Sequence, residues 1–224
     1  MTYTWLFELN GEDLDLRTIA ELFSDSFSIF SADEKWFLSM QLEFPPDGGA
    51  DARAAVEPVL ARLNASAQVA YGNHENIRLG RMMCMNPTGA PATQIVSAAG
   101  MRSQFRPGGG KLVTDCLLTA IQKDDHFARA LYLFGVLPQD WRGLSVVLDV
   151  VEEGNGGERG LKSKQWVAGS SIDNFGATAN SFKAIGHQAR HGYLSKGVDA
   201  RRQTLEEARS MIRTILERWA KELI

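Results

Sequence analysis

Two histidines four residues apart stand among cations toward the C-terminal end of the chain. His187 and His191 lie in S-F-K-A-I-G-H-Q-A-R-H-G-Y, residues 181–193, with Lys183 and Arg190 beside them. Lys196, Arg201 and Arg202 follow, opposed only by Asp199. An imidazole gains and loses a proton near neutral pH, and nearby cations attract phosphate. Binding or cleaving a phosphodiester needs these group types. On a helix, His187 and His191 would share one face, with Lys183 one turn earlier on it. His191, Arg190 and His187 are therefore the candidate catalytic residues. Lys183, Asn180, Lys196, Arg201 and Arg202 are the candidate nucleic-acid contacts. The opposing structural reading is a polar connector between two helices, with one histidine hydrogen-bonded to a buried carbonyl.

Spacing argues against the other familiar chemistries. R-P-G-G-G-K-L, residues 106–112, places Phe105 where a phosphate loop needs its first glycine and Leu112 where it needs a hydroxyl. The chain has no G-x-G-x-x-G after a strand, no G-x-S-x-G and no H-E-x-x-H. Asp124, Asp125 and His126 are adjacent, and neighbours on a helix do not share a face. They read as a helix start, and His74 reads as part of a polar turn. Neither a metal nor a cofactor is expected. Cys84 and Cys116 sit in apolar context and read as buried thiols rather than a disulfide framework. The 224 residues carry a formal charge of only −3, so a nucleic-acid site must be a local patch. The first residues lack a basic, then apolar, leader pattern, and no apolar window reaches membrane-spanning length. A cytoplasmic protein with no membrane partner is the expectation.

The elements that would position these groups fall into two sets. Six of the seven prolines precede residue 108. In that first half, Trp5, Phe7 and Leu9 alternate as on a strand. Leu16, Ile19, Ala20 and Phe23 follow as one helical face. Phe27 to Phe30 and Trp36 to Phe44 read as a hairpin around the polar turn 31–35. A helix is expected from about Asp51 to Leu63, with Pro58 either kinking it or marking its true start. Strands are expected over Ile77 to Met85 and Thr93 to Ala99, with a loop at 86–91 between them. The sum is β-α-β-β-α-β-β, an α+β domain with helices over one face of a mainly antiparallel sheet. Residues 107–111 read as a Gly-rich linker between domains 1–106 and 112–224.

The second half reads as an α-helical bundle. Helical stripes run over 111–123, over 127–134 behind an Asp124 or Asp125 cap, and over Trp141 to Glu153. Gly154-Asn155-Gly156-Gly157 stops the last of these. A further helix starts near Ser171. The last begins at Thr204 and Glu207, a T-x-x-E capping box, and carries a stripe from Leu205 to Leu223.

From about Asp140 onward the chain resembles a C-terminal module of uncharacterised bacterial proteins. The residues that carry the likeness are Asp140-Trp141-Arg142-Gly143-Leu144, Trp166, Thr178-Ala179-Asn180, Ala189-Arg190-His191-Gly192 and Glu207-Ala208-Arg209 with Trp219. The arrangement is also similar to HEPN domains, small helical bundles that are often ribonucleases of bacterial defence and toxin systems. That resemblance implies a metal-independent protein that binds or cleaves RNA as a homodimer. His191 would be the acid or base, Arg190 and Lys183 would neutralise phosphate, and Asn180 would hydrogen-bond the substrate or fix His187. No arginine stands between Asn180 and Gly186, where the HEPN motif carries one. That gap supports an alternative: a non-enzymatic interaction or sensor protein that dimerises or holds a protein partner through its bundle.

Overall fold

Alternation of large apolar and smaller or polar side chains makes the segment Tyr3–Asn10 a strand, β1, with one fully buried face. Trp5, Phe7 and Leu9 lie on that face. In the computed structural model, residues 2–23, 27–72, 76–85, 91–95, 110–191, 198 and 202–224 are described. They form two compact units, Met1–Thr114 and Asp115–Ile224.

The first unit continues with α1 (Asp13–Leu22), β2 (Ser28–Ala32), β3 (Lys35–Leu42), α2 (Gly49–Tyr71), β4 (Arg78–Met85) and β5 (Pro91–Ile95). This is the β-α-β-β-α-β-β order expected from the sequence. The five strands pair antiparallel in the order β2-β3-β1-β4-β5. The first four strands have the order of a split β-α-β, ferredoxin-like sheet, and β5 extends it beside β4. Register puts Trp5 opposite Met40 and Cys84, and Phe7 opposite Leu38 and Met82. These partners therefore share the buried face, and burial raises the Cys84 thiol above its ordinary range. The expected hairpin is present, but its turn is shorter than 31–35. Asp33 and Glu34 alone turn the chain, both at positive φ (50° and 61°), the backbone that matches strand twist in a two-residue loop.

Helix α2 runs to Tyr71, well past the Leu63 at which the stripe ends in the sequence, and Pro58 lies inside it. A second packing surface explains the extension. Ala61, Ala65, Ser66 and Ala67 are buried, so small residues continue the packed face where large ones stop. Asn64, a poor helix former, is held by the chain entering β4. Its Oδ1 accepts from Ile77 N at 2.8 Å and its Nδ2 donates to Ile77 O at 2.9 Å. Of the expected loop at 86–91, residues 86–90 fall outside the described residues and Pro91 already begins β5. Residues 96–99, expected as strand, also fall outside. Of the expected linker 107–111, residues 107–109 fall outside and the last two belong to a helix that starts at Gly110.

The division between the units falls within α3 (Gly110–Ile121), and the second unit continues with α4 (Asp125–Val136), α5 (Trp141–Gly154), α6 (Gly157–Ser163), α7 (Gly169–Ala179), α8 (Phe182–Ile185), a 3-10 turn (Gly186–Gln188) and α9 (Leu205–Leu223). It is a helical bundle, as expected. Helix α5 is its axis and packs against α4, α6, α7 and α9. Trp141 of α5 meets Phe175 of α7 at 5.7 Å, and Phe127 of α4 stands edge-on to Trp219 of α9 at 5.4 Å. Side-chain caps start the helices where the sequence placed them. Asp124 accepts from Phe127 N and Asp140 from Gly143 N, and the Thr204–Glu207 capping box is complete. Helix α6 was not expected. Gly156 and Gly157, at φ of 78° and 80°, turn the chain and start a new helix instead of only ending α5.

Replacing Asn64 by alanine leaves Ile77 N and O buried without partners, at about 1–3 kcal/mol for each lost group. Urea denaturation of Asn64→Ala is expected to show a stability loss of that order. A midpoint equal to wild type would show that the two hydrogen bonds carry no net stability.

Candidate functional site

The segment that carries the candidate residues is fastened from two sides. Arg142, in the first turn of α5, donates from Nη2 to His187 O at 2.9 Å and from Nε to Ala189 O at 3.2 Å. Arg190 N donates to Ala179 O, the last residue of α7, at 2.8 Å. Ser181 caps α8 and sends its hydroxyl to Val198 O at 2.6 Å.

The segment is not a helix through the two histidines, which corrects the shared-face expectation. Helix α8 lasts four residues. Gly186 then takes φ 61°, ψ −137°, a backbone outside the helical region, and Ala189 is extended. Exposed His187 sits on the 3-10 turn with its ring edge-on to Phe182 at 5.2 Å. His191 and Lys183 are exposed as well. Arg202 is exposed, and its backbone N donates to Thr178 Oγ1 at 3.1 Å. Lys196 and Arg201 lie outside the described residues, as does His74.

Of the candidates, the structure brings Asn180 and Arg190 together, in a cleft of about 260 Å³ walled by α5, α6 and α7. The charged groups on its lining are Asp149, Glu152, Glu158, Asp173 and Arg190. Arg190 grips Asp149 with both guanidinium nitrogens, at 3.1 and 2.8 Å. Lys162 Nζ lies 2.5 Å from both Glu158 Oε1 and Asp173 Oδ1. Its hydrogen bonds to Asp173 and then Glu158 hold the ammonium charge above the ordinary lysine range. Four carboxylates thus face two cations.

Glu152 is the carboxylate left over. Among the described residues it has no ion-pair partner. Burial raises its pKa, and the negative charges of Glu158 and Asp149 add to the effect. Arg190 and Lys162 pull the other way without cancelling it. Asn180 also lines the cleft, and its buried Oδ1 has no hydrogen-bond partner among the described residues. The cleft can therefore accept hydrogen bonds and positive charge.

Sequence reasoning passed over Asp149, Glu152, Glu158 and Asp173. The one local signal was Glu158 and Lys162 at i,i+4. The rest depends on three helices meeting. Among the described residues, no three His, Cys, Asp or Glu side chains gather as a metal-binding group, and no helix is long and apolar enough to cross a membrane. Cys84 and Cys116 are both buried thiols. Comparison with protein-family models, with curated proteins and with solved structures finds no match for this chain.

A raised carboxylate pKa means that the folded chain holds the Glu152 proton more firmly than the unfolded chain. The resulting stability is fully present below the ordinary glutamate value of 4.5 and is lost as pH rises through the folded value. Near neutral pH, ionised Glu152 is a burden on the fold. Glu152→Gln is expected to raise the denaturation midpoint at neutral pH and to leave it close to wild type at pH near 4. A variant destabilised at neutral pH would contradict the assignment.

Proposed function

We propose that the C-terminal helical unit is a binding module. Its ligand is a positively charged, hydrogen-bond-donating group, of the kind a partner's arginine or lysine presents. Glu152 of α5 would receive the charge, and Asn180 Oδ1 would take a further N–H. The observation that carries this reading is the pair of unmatched acceptors on one small cleft. A guanidinium offers five N–H donors in a fixed plane and suits a carboxylate with an amide oxygen nearby. Arg190 has the supporting role of holding Asp149, so that an entering cation meets Glu152. The chain would then be an interaction or sensor protein rather than an enzyme. Titration of the full chain with an acetylated, amidated Gly-Arg-Gly peptide should give saturable binding. Glu152→Gln should weaken it about tenfold, which corresponds to about 1.4 kcal/mol. Equal affinity in the two proteins would refute the reading.

A second reading is a cytoplasmic, HEPN-like dimer that binds or cleaves RNA in a bacterial defence or stress system. It draws on the resemblance and on the exposure of His187, His191, Lys183 and Arg202 within one stretch of chain. His191 would move the proton, and Lys183 and Arg202 would face phosphate. An RNA-cleavage assay on wild type, His191→Ala and Arg190→Ala tests it. Loss of cleavage in both variants is expected, and equal rates in all three would remove the catalytic claim.

A further inference from the structure

Helix α7 presents another face to a second cleft, of about 420 Å³, between its N-terminal turn and α9. Ser171 and Asn174 line it from α7, Ser210 and Thr214 from α9, and Arg202 and Gln203 from the chain entering α9. Three features of its wall point to a ligand.

Gln203 is only 8% exposed, and its Oε1 has no hydrogen-bond partner among the described residues. A buried amide oxygen is costly to leave unpaired, and native structures seldom do so. The N-terminus of α7 opens on the same cleft without a side-chain cap: Ala168 precedes it and offers no acceptor on its side chain. Ser171 N already donates to Ala168 O at 2.9 Å, so Gly169 N and Ser170 N are the donors left over. Those N–H groups and the helix dipole favour an anion. Exposed Arg202 also lines the cleft, and its backbone N donates to Oγ1 of buried Thr178.

The carboxylate on this lining, Glu207, is already engaged. Its Oε2 accepts from Thr204 N at 2.7 Å and from Thr204 Oγ1 at 2.8 Å. These bonds, the backbone one first, hold it below the ordinary carboxylate range. It remains a fixed charge of the α9 cap, so the anion belongs at the α7 and Arg202 end of the cleft.

We infer that the α7–α9 cleft binds a phosphate group that carries a neighbouring hydroxyl. The phosphate sits between the uncapped start of α7, where Ala168 and Ser171 line the cleft, and Arg202, and the hydroxyl hydrogen-bonds the Gln203 amide. A free sugar phosphate and the ribose-phosphate backbone of RNA share this chemistry. The cleft uses none of the side chains that line the α5–α7 cleft, so the two assignments stand or fall separately.

Calorimetric titration of the full chain with ribose 5-phosphate tests the inference, with ribose and inorganic phosphate as separate probes. Ribose 5-phosphate is expected to bind, and each fragment to bind at least about tenfold more weakly. Arg202→Ala and Gln203→Leu should each weaken ribose 5-phosphate by about tenfold or more. Arg159→Ala, which removes an exposed cation elsewhere on the bundle, should keep wild-type affinity. A short RNA without terminal phosphates separates the two sources. If it binds with the same dependence on Arg202, the ligand is a nucleic-acid backbone; if it does not bind, the ligand is a free sugar phosphate. Should Gln203→Leu fail to fold by circular dichroism, the exposed Arg202 still carries the test. Absence of binding by both ribose 5-phosphate and RNA, or binding unchanged in Arg202→Ala, overturns the inference.

Discussion

Two guanidinium groups cross between α5 and the chain that follows α8, in opposite directions. Arg142 reaches from α5 to the carbonyls of His187 and Ala189. Arg190 reaches back to Asp149, two turns further along α5. Between them they fix the height and the direction at which the segment passes α5. Lysine would not replace Arg142, because one ammonium on a flexible stem cannot present the fork that spans two carbonyls. The third tie, Arg190 N to Ala179 O, fastens the same segment to the end of α7. The cleft between α5 and α7 therefore has its mouth set by backbone hydrogen bonds as well as by charges.

These ties position groups more than they add stability. Arg190 and Asp149 are 41% and 46% exposed, and an ion pair that wet contributes at most about 1 kcal/mol. Burial of Trp141, Phe175, Phe127 and Trp219 dominates the energetics of the unit, at about 1.5–3 kcal/mol for a large apolar side chain. Once packing has set the backbone, the surface charges decide what the cleft attracts. Arg190 neutralises Asp149, Lys162 is shared by Glu158 and Asp173, and Glu152 is left with its charge in a partly buried place. A third cation there would balance the charge that Glu152 leaves over.

The parts of this arrangement that were legible in the sequence are those that a short window determines. Alternation in Trp5, Phe7 and Leu9 reports a strand because side chains on a strand repeat every two residues. Thr204 and Glu207 report a helix start because the capping box closes within four residues. The length of α2 was not legible, because its extension rests on a buried face of small residues and on Asn64 meeting Ile77, thirteen residues on. The histidine spacing pointed to a helical face that Gly186 interrupts with a backbone a side chain seldom adopts. The carboxylates of the cleft come from α5, α6 and α7, and no window of sequence contains that meeting. Asn180 and Arg190 were identified from the density of polar groups around them, but the partners that give them meaning were not.

Helix α7 shows how one short element can serve two different surfaces. Ile172, Asp173, Phe175 and Gly176 face the acidic cleft, while Ser171 and Asn174 face the cleft that holds Arg202. A helix walled on two sides has to stay thin, and α7 is built from small residues: Gly169, Ser170, Ser171, Gly176 and Ala177. Gly176 is the informative one. A Cβ at this position would meet no atom within 4 Å, so packing does not require a glycine there. A mid-helix glycine costs about 1 kcal/mol relative to alanine. That cost has no return in stability. Its return is in space, because any side chain at 176 would project into the cleft beside Glu152 and Asn180. The same economy appears at the helix start, where Ala168 leaves two N–H groups uncapped although a serine or aspartate there would stabilise the helix by about 1 kcal/mol. At both places α7 forgoes helix stability, and at both the consequence is an open wall with unmatched hydrogen-bonding groups.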